Sequence, residues 1–195
     1  MPAVLLFTAT YVGATWLYGR WVGSELADIY GPVTVVLAVL IGLIHRSAKF
    51  PLPVLWALSL VGLGNMAGGV WLVAGRPLYL APVVGSLRYD KLFHTFATGV
   101  AAWAAYEALR RWGSVERFTG GVAFATVLVA CGAGALVEIV EFSSTIVFPT
   151  TNVGDYGNNM LDLVANLLGA VVTAVLLAWR SRRRFAADGL AMVKT

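Results

Sequence analysis

The sequence predicts an all-α integral membrane protein, a polytopic bundle of about six transmembrane helices with both termini cytoplasmic. Three observations carry that prediction. Of 195 residues, 59% are apolar and only 12% are charged, and the mean hydropathy is +0.79, values that do not describe a water-soluble domain. The apolar residues are gathered into six runs close to the roughly 17–25 residues that a helix needs to cross a bilayer. The basic residues are distributed unevenly between the two sides of those runs.

The first run, residues 2–18, has no Lys or Arg before it and outlasts the roughly 7–15 residue core of a secretion signal, so it is read as a helix. The second, 29–44, is the short one. The third, 52–74, carries Gly62, Gly64, Gly68 and Gly69; Gly64 to Gly68 has the small-xxx-small spacing that lets helices approach closely. Asn65, in the same run, is expected to hold helices together. After it, prolines 77 and 82 prevent a simple helix. The fourth run is 92–109, the fifth 118–142 and the sixth 160–179, and residues 149–157 between the last two are polar with no basic residue. An outer cap is predicted from these two outer connections, with Trp71, Tyr79, Tyr89 and Tyr156 near headgroup level. No Pro/Gly/Ser-rich linker divides the chain, so residues 1–195 read as a single membrane domain.

Charge sets the orientation. Arg46 and Lys49 follow the second run, Arg110, Arg111 and Arg117 the fourth, and Arg180, Arg182, Arg183, Arg184 and Lys194 the sixth, which makes ten of the 14 basic residues on one face. By the positive-inside rule that face is cytoplasmic. The net charge of +4 is then explained by topology and anionic lipid, and nucleic acid is not expected as a partner. Cys131, the sole cysteine, lies among small residues and excludes an intramolecular disulfide or a thiolate metal site.

Against this apolar background stands a set of polar residues. Carboxylates near hydrocarbon cost about 2.5–3.5 kcal/mol each at the helix centre on insertion scales, so their retention points to use. Asp90 and His94 are four apart at the outer start of the fourth run, Glu138 and Glu141 three apart near the outer end of the fifth, and Asn158, Asp162 and Asn166 four apart leading into the sixth, with Asn159 offset. Each set falls on one helix face. All lie at the outer depth, although the charge count that fixed the topology used no acidic residue. His94 offers a base or metal ligand, paired carboxylates offer a general acid, and amides can hold a hydroxyl or phosphate oxygen. The donor set also suits a divalent cation such as Mg²⁺, Mn²⁺ or Ca²⁺. Glu107, one turn before Arg110, is expected to be an inner-surface ion-pair partner.

At Asp90-Lys91-Leu92-Phe93-His94 with Gly99, at Glu138-Ile139-Val140-Glu141, and at Gly154-Asp155-Tyr156 leading to Asn158, Asp162, Asn166 and Gly169, the chain resembles the prokaryotic YjdF-like membrane proteins and, more distantly, the VanZ-like family. The motifs lie within residues 88–180. Where the YjdF-like pattern often has glutamine or aspartate, this chain has Asn158 and Asn159. The resemblance implies a multi-pass protein of a prokaryotic cell membrane, with lipids as partners and chemistry on lipid head groups or polyprenyl lipids. On that reading His94, Glu138, Glu141 and Asp162 are the candidate catalytic residues. Asp90, Asp155, Asn158, Asn159 and Asn166 are the candidate substrate-binding residues. Two alternatives use the same groups: a small proton, cation or solute carrier, and an accessory protein in which the cluster is a structural clasp.

Overall fold

The computed structural model describes residues 1–147, 151 and 153–192, with side chains through residue 183. Six helices follow one another: α1 (Pro2–Trp21), α2 (Ala27–Ala48), α3 (Leu52–Val70), α4 (Tyr89–Trp112), α5 (Gly120–Val147) and α6 (Tyr156–Met192). Four of them, α2, α3, α5 and α6, are long and apolar enough to cross a membrane by length and composition. The shortfall of α4 has a structural reason. It packs between α3, α5 and α6, so its polar side chains meet protein, while Leu136, Ile139, Val140, Leu161 and Val164 on α5 and α6 face outward. Outward apolar and inward polar faces are what a bundle in hydrocarbon requires.

Several boundaries differ from expectation, and α5 and α6 run beyond the predicted 118–142 and 160–179 to Val147 and over Tyr156–Met192. The second span is not short, because the polar flanks stay helical and α2 runs 22 residues until Lys49 adopts a left-handed conformation. The third ends at Val70, before the predicted 74, because Ala74 and Gly75 both take positive φ. That pair turns the chain into a hairpin of β1 (Leu72–Val73) and β2 (Arg76–Pro77). A 3-10 turn (Leu78–Leu80) follows, then a second hairpin of β3 (Pro82–Val84) and β4 (Leu87–Arg88). The non-helical cap predicted from the prolines is therefore present.

Tyr79 does not sit at headgroup level as expected. Its ring is buried against Gly68, where a Cβ would come 2.6 Å from the ring carbons, and its hydroxyl donates to Asn65 Oδ1 at 2.7 Å. Burial holds the phenol well above its usual ionisation range, so it remains a neutral donor. Asn65 thus fastens the cap to α3, and the glycines of that helix admit rings: Gly64 faces Phe93 and Tyr89, and Gly69 faces Tyr30. Trp71 and Tyr156 are exposed, while Tyr89 is half-buried with its hydroxyl on the Gly64 carbonyl at 3.0 Å. At the opposite end Arg110 pairs with Glu107 at 3.1 Å, as expected.

The predicted loop between the last two spans falls partly on residues 148–150 and 152, and the Arg184 and Lys194 side chains lie beyond residue 183; these are outside the described residues. Orientation itself is open to a direct test. Single cysteines at the exposed positions Val84, in the cap, and Ser114, between α4 and α5, are expected to react with an impermeant thiol reagent from opposite sides, Val84 from outside. Reaction of both from one side would overturn the topology.

Candidate functional site

The helical period places Asp90, His94 and Thr98 along one stripe of α4, with Lys91 beside it. α6 begins under Asp155, whose Oδ1 accepts the Asn158 N–H at 2.9 Å as an N-cap. That start orients Asn158, Asp162 and Asn166 toward α4. Two close approaches lock the helices in this rotation. Gly169 of α6 lies against the Thr95 carbonyl and Gly99 of α4, so that a Cβ would collide with Thr95 O. At Gly134 of α5 a Cβ would be 2.7 Å from the Asn166 amide nitrogen. Both are helix-packing glycines.

The resulting cluster has two halves. In the first, Lys91 Nζ donates to Asp162 Oδ1 at 2.6 Å, to Asn158 Oδ1 at 2.8 Å and to Asp90 Oδ2 at 2.9 Å. Asn158 Nδ2 donates to Asp162 Oδ2 at 2.8 Å, which leaves both oxygens of this fully buried carboxylate engaged. In the second half, His94 Nε2 lies 3.4 Å from Asp90 Oδ1 and its Nδ1 lies 3.4 Å from Glu138 Oε1. Nδ1 is also 3.3 Å from Asn166 Oδ1, which receives the Thr98 hydroxyl at 2.6 Å. Glu138 is only 6% exposed, yet neither of its oxygens has a hydrogen-bond partner among the described residues. The Asn166 Nδ2 and the Asn159 Oδ1 share that condition.

Glu141, half-buried one turn outward, faces a cleft of about 30 Å³ together with Arg88, Asp90, Asn158, Tyr79 and Leu80. This is room for about two waters. Two groups bring potential metal-ligand atoms within 4.8 Å of one another: Asp90, His94 and Asp162, and His94, Glu138 and Glu141.

Of the residues singled out from the sequence, Asp90, His94, Glu138, Glu141, Asn158, Asp162 and Asn166 come together. Asp155 does not join them; it is exposed and serves as the cap of α6. Asn159 is half-buried, takes no part in the hydrogen bonds described for the cluster, and its Oδ1 has no partner among the described residues. Lys91 and Thr98 are the members that sequence reasoning missed. Lys91 reads on paper as an outer basic residue, but it stands three before His94, on the same side of the helix, and that spacing was the available signal. Thr98 stands four after His94.

Comparison places the chain among membrane proteins. It belongs to the family described as "Predicted membrane protein (DUF2238)", which it matches over residues 3–183. The match thus takes in the first three helices as well as the motif-bearing half. No curated protein and no solved structure matches the chain significantly.

Proposed function

We propose, starting from a membrane-protein family and a polar site enclosed by its helices, that the chain acts on a lipid head group from the outer leaflet, as a hydrolase or transferase. The YjdF-like resemblance agrees with this reading. The observation that carries it is Glu138: a buried carboxylate with no hydrogen-bond partner among the described residues, 3.4 Å from an imidazole. A purely structural network has no reason to leave an acid uncommitted, since an unpaired buried charge costs several kcal/mol. An acid beside a histidine is suited to moving a proton.

Charge suggests how a head group lies. Arg88, at the cleft, fits a phosphate oxygen, and the carboxylates of Asp90 and Glu141 fit the hydroxyl or amino group of the same head. Because the cleft is water-sized, entry requires the cap at Tyr79 and Leu80 to shift. A carrier is less well supported. Directly inward of Asn166 and Thr98, the alanines Ala102, Ala130 and Ala170 of α4, α5 and α6 are fully buried in one apolar plug, with no series of ionisable groups to continue a path.

One observation favours a second reading. The Lys91 half of the cluster is internally satisfied, as a clasp would be. Purified protein in mixed phospholipids and polyprenyl lipids separates the two. The enzyme reading expects a changed lipid profile by mass spectrometry, with Arg88→Gln slowing the change about tenfold, the worth of one charge-assisted hydrogen bond. An unchanged profile across both lipid panels would favour the clasp.

A further inference from the structure

We propose that His94, Glu138 and Glu141 bind one divalent transition-metal ion of the Mn²⁺ or Zn²⁺ type, with Asp90 as the outer partner of the histidine. The site is the one assigned above to lipid chemistry. The inference rests on the geometry of that reading and not on its reaction.

Charge balance is the first argument. Asp90, Glu138, Glu141 and Asp162 gather around His94, and Lys91 is the ammonium ion-paired with two of them, Asp90 at 2.9 Å and Asp162 at 2.6 Å. The triad of Asp90, His94 and Asp162 therefore already holds a cation and would repel a second. The described ion partner of Glu138 is the His94 imidazole alone, at 3.4 Å, and Glu141 has none among the described residues. Four carboxylates against the Lys91 ammonium and the Arg88 guanidinium at the cleft still leave a negative excess beside a neutral imidazole, and a divalent ion between the two glutamates removes it.

The second argument is Glu138 itself, 6% exposed with both oxygens lacking a hydrogen-bond partner among the described residues. Its Oε1 points at His94 Nδ1 from 3.4 Å. Ligand atoms bound to one ion at about 2.0–2.2 Å lie about 3–4.4 Å apart, and the three candidate atoms here lie within 4.8 Å of one another.

Third, the imidazole is oriented for ligation. Both ring nitrogens face acceptors: Nε2 faces Asp90 Oδ1 at 3.4 Å, while Nδ1 faces Glu138 Oε1 and Asn166 Oδ1. A neutral ring has one N–H and so serves only one side. With the proton on Nε2 and directed to Asp90, Nδ1 presents its lone pair to the glutamates. This is the carboxylate–histidine–metal arrangement in which the outer acid fixes the tautomer and strengthens the ligand. One imidazole with two carboxylates suits Zn²⁺, a borderline ion, or the harder Mn²⁺, which also accepts imidazole, over Ca²⁺, which prefers an all-oxygen shell. Three protein ligands also leave a coordination position open.

The test uses full-length protein in detergent, stripped with chelator and dialysed against Mn²⁺ or Zn²⁺. The expected result is one ion per chain by elemental mass spectrometry, and an electron spin echo of the Mn²⁺ form showing nitrogen coupling that disappears in His94→Gln. Glu138→Gln and Glu141→Gln are each expected to weaken affinity by more than about 100-fold, and Asp90→Asn by about 10–100-fold, the usual range for an outer partner. Glu107→Gln, at the opposite end of α4, leaves affinity unchanged. Substoichiometric uptake by stripped wild type at millimolar metal overturns the proposal, as does wild-type affinity in Glu138→Gln. Should Glu138→Gln fail to fold, Glu141→Gln and the nitrogen coupling decide. Metal binding without lipid turnover would sink only the lipid reading; turnover by a protein that binds no metal would sink only this one.

Discussion

Replacing Lys91 with methionine is expected to lower the stability of the bundle by about 3–5 kcal/mol, the usual cost of removing one partner from a buried ion pair. The reason lies in Asp162. It is 0% exposed, and Lys91 supplies its shortest contact, 2.6 Å to Oδ1. Without the ammonium, Asp162 retains Asn158 Nδ2 at 2.8 Å as its remaining hydrogen-bond donor among the described residues, and Asp90 loses its 2.9 Å contact. Methionine keeps the length and apolar stem of lysine, so packing is largely preserved and the loss reports charge. Adding Asp162→Asn to Lys91→Met removes the stranded charge and is expected to restore much of the stability. Thermal unfolding in detergent, followed by circular dichroism, reads both. A Lys91→Met protein as stable as wild type would show that Asp162 is neutralised by some other group.

Gly169→Ala carries the second large effect. The added methyl would run into the Thr95 carbonyl oxygen and approach the Gly99 nitrogen to 3.0 Å. These are backbone atoms of a neighbouring helix, so no side-chain rotation relieves the clash; α4 and α6 must separate. Overpacking of this kind costs typically about 1–3 kcal/mol and sometimes more. Its consequence reaches the site, because Asn166 and Asp162 lie three and seven residues earlier on the same face of α6. Separation lengthens the Asp162 to Lys91 and Asn166 to Thr98 contacts together. Gly132→Ala on α5 serves as the contrast. A Cβ there meets nothing within 4 Å, so the better helix propensity of alanine should stabilise by about 0.5–1 kcal/mol. Equal melting temperatures for the two variants would mean that the Gly169 contact is not a true close approach.

Much of this architecture was legible in the sequence because membrane helices announce themselves locally. Six runs became six helices, and the prolines at 77 and 82 foretold a cap without a helix. Period alone put Asp90 with His94, Glu138 with Glu141, and Asn158 with Asp162 and Asn166, each on one face. Pairing across helices was not legible. Lys91 contacts its chain neighbour Asp90 at 2.9 Å but makes the shorter contact, 2.6 Å, to Asp162, 71 residues away. Tyr79 looked like an interface aromatic, since nothing in its neighbours along the chain shows that Gly68 leaves space for its ring. Asp155 looked like a member of the cluster until the first turn of α6 claimed its carboxylate.

Hydrophobicity, proline position and helical period are properties of one segment at a time. The sequence by itself therefore determined the fold class, the helical elements and the face on which each polar residue stands. How far each helix is rotated against its neighbours is set by contacts between segments, above all where Gly169 meets Thr95 and Gly134 meets Asn166. Only that packing decided which acid receives the Lys91 ammonium and which, Glu138, is buried beside His94 without a hydrogen bond from any described residue.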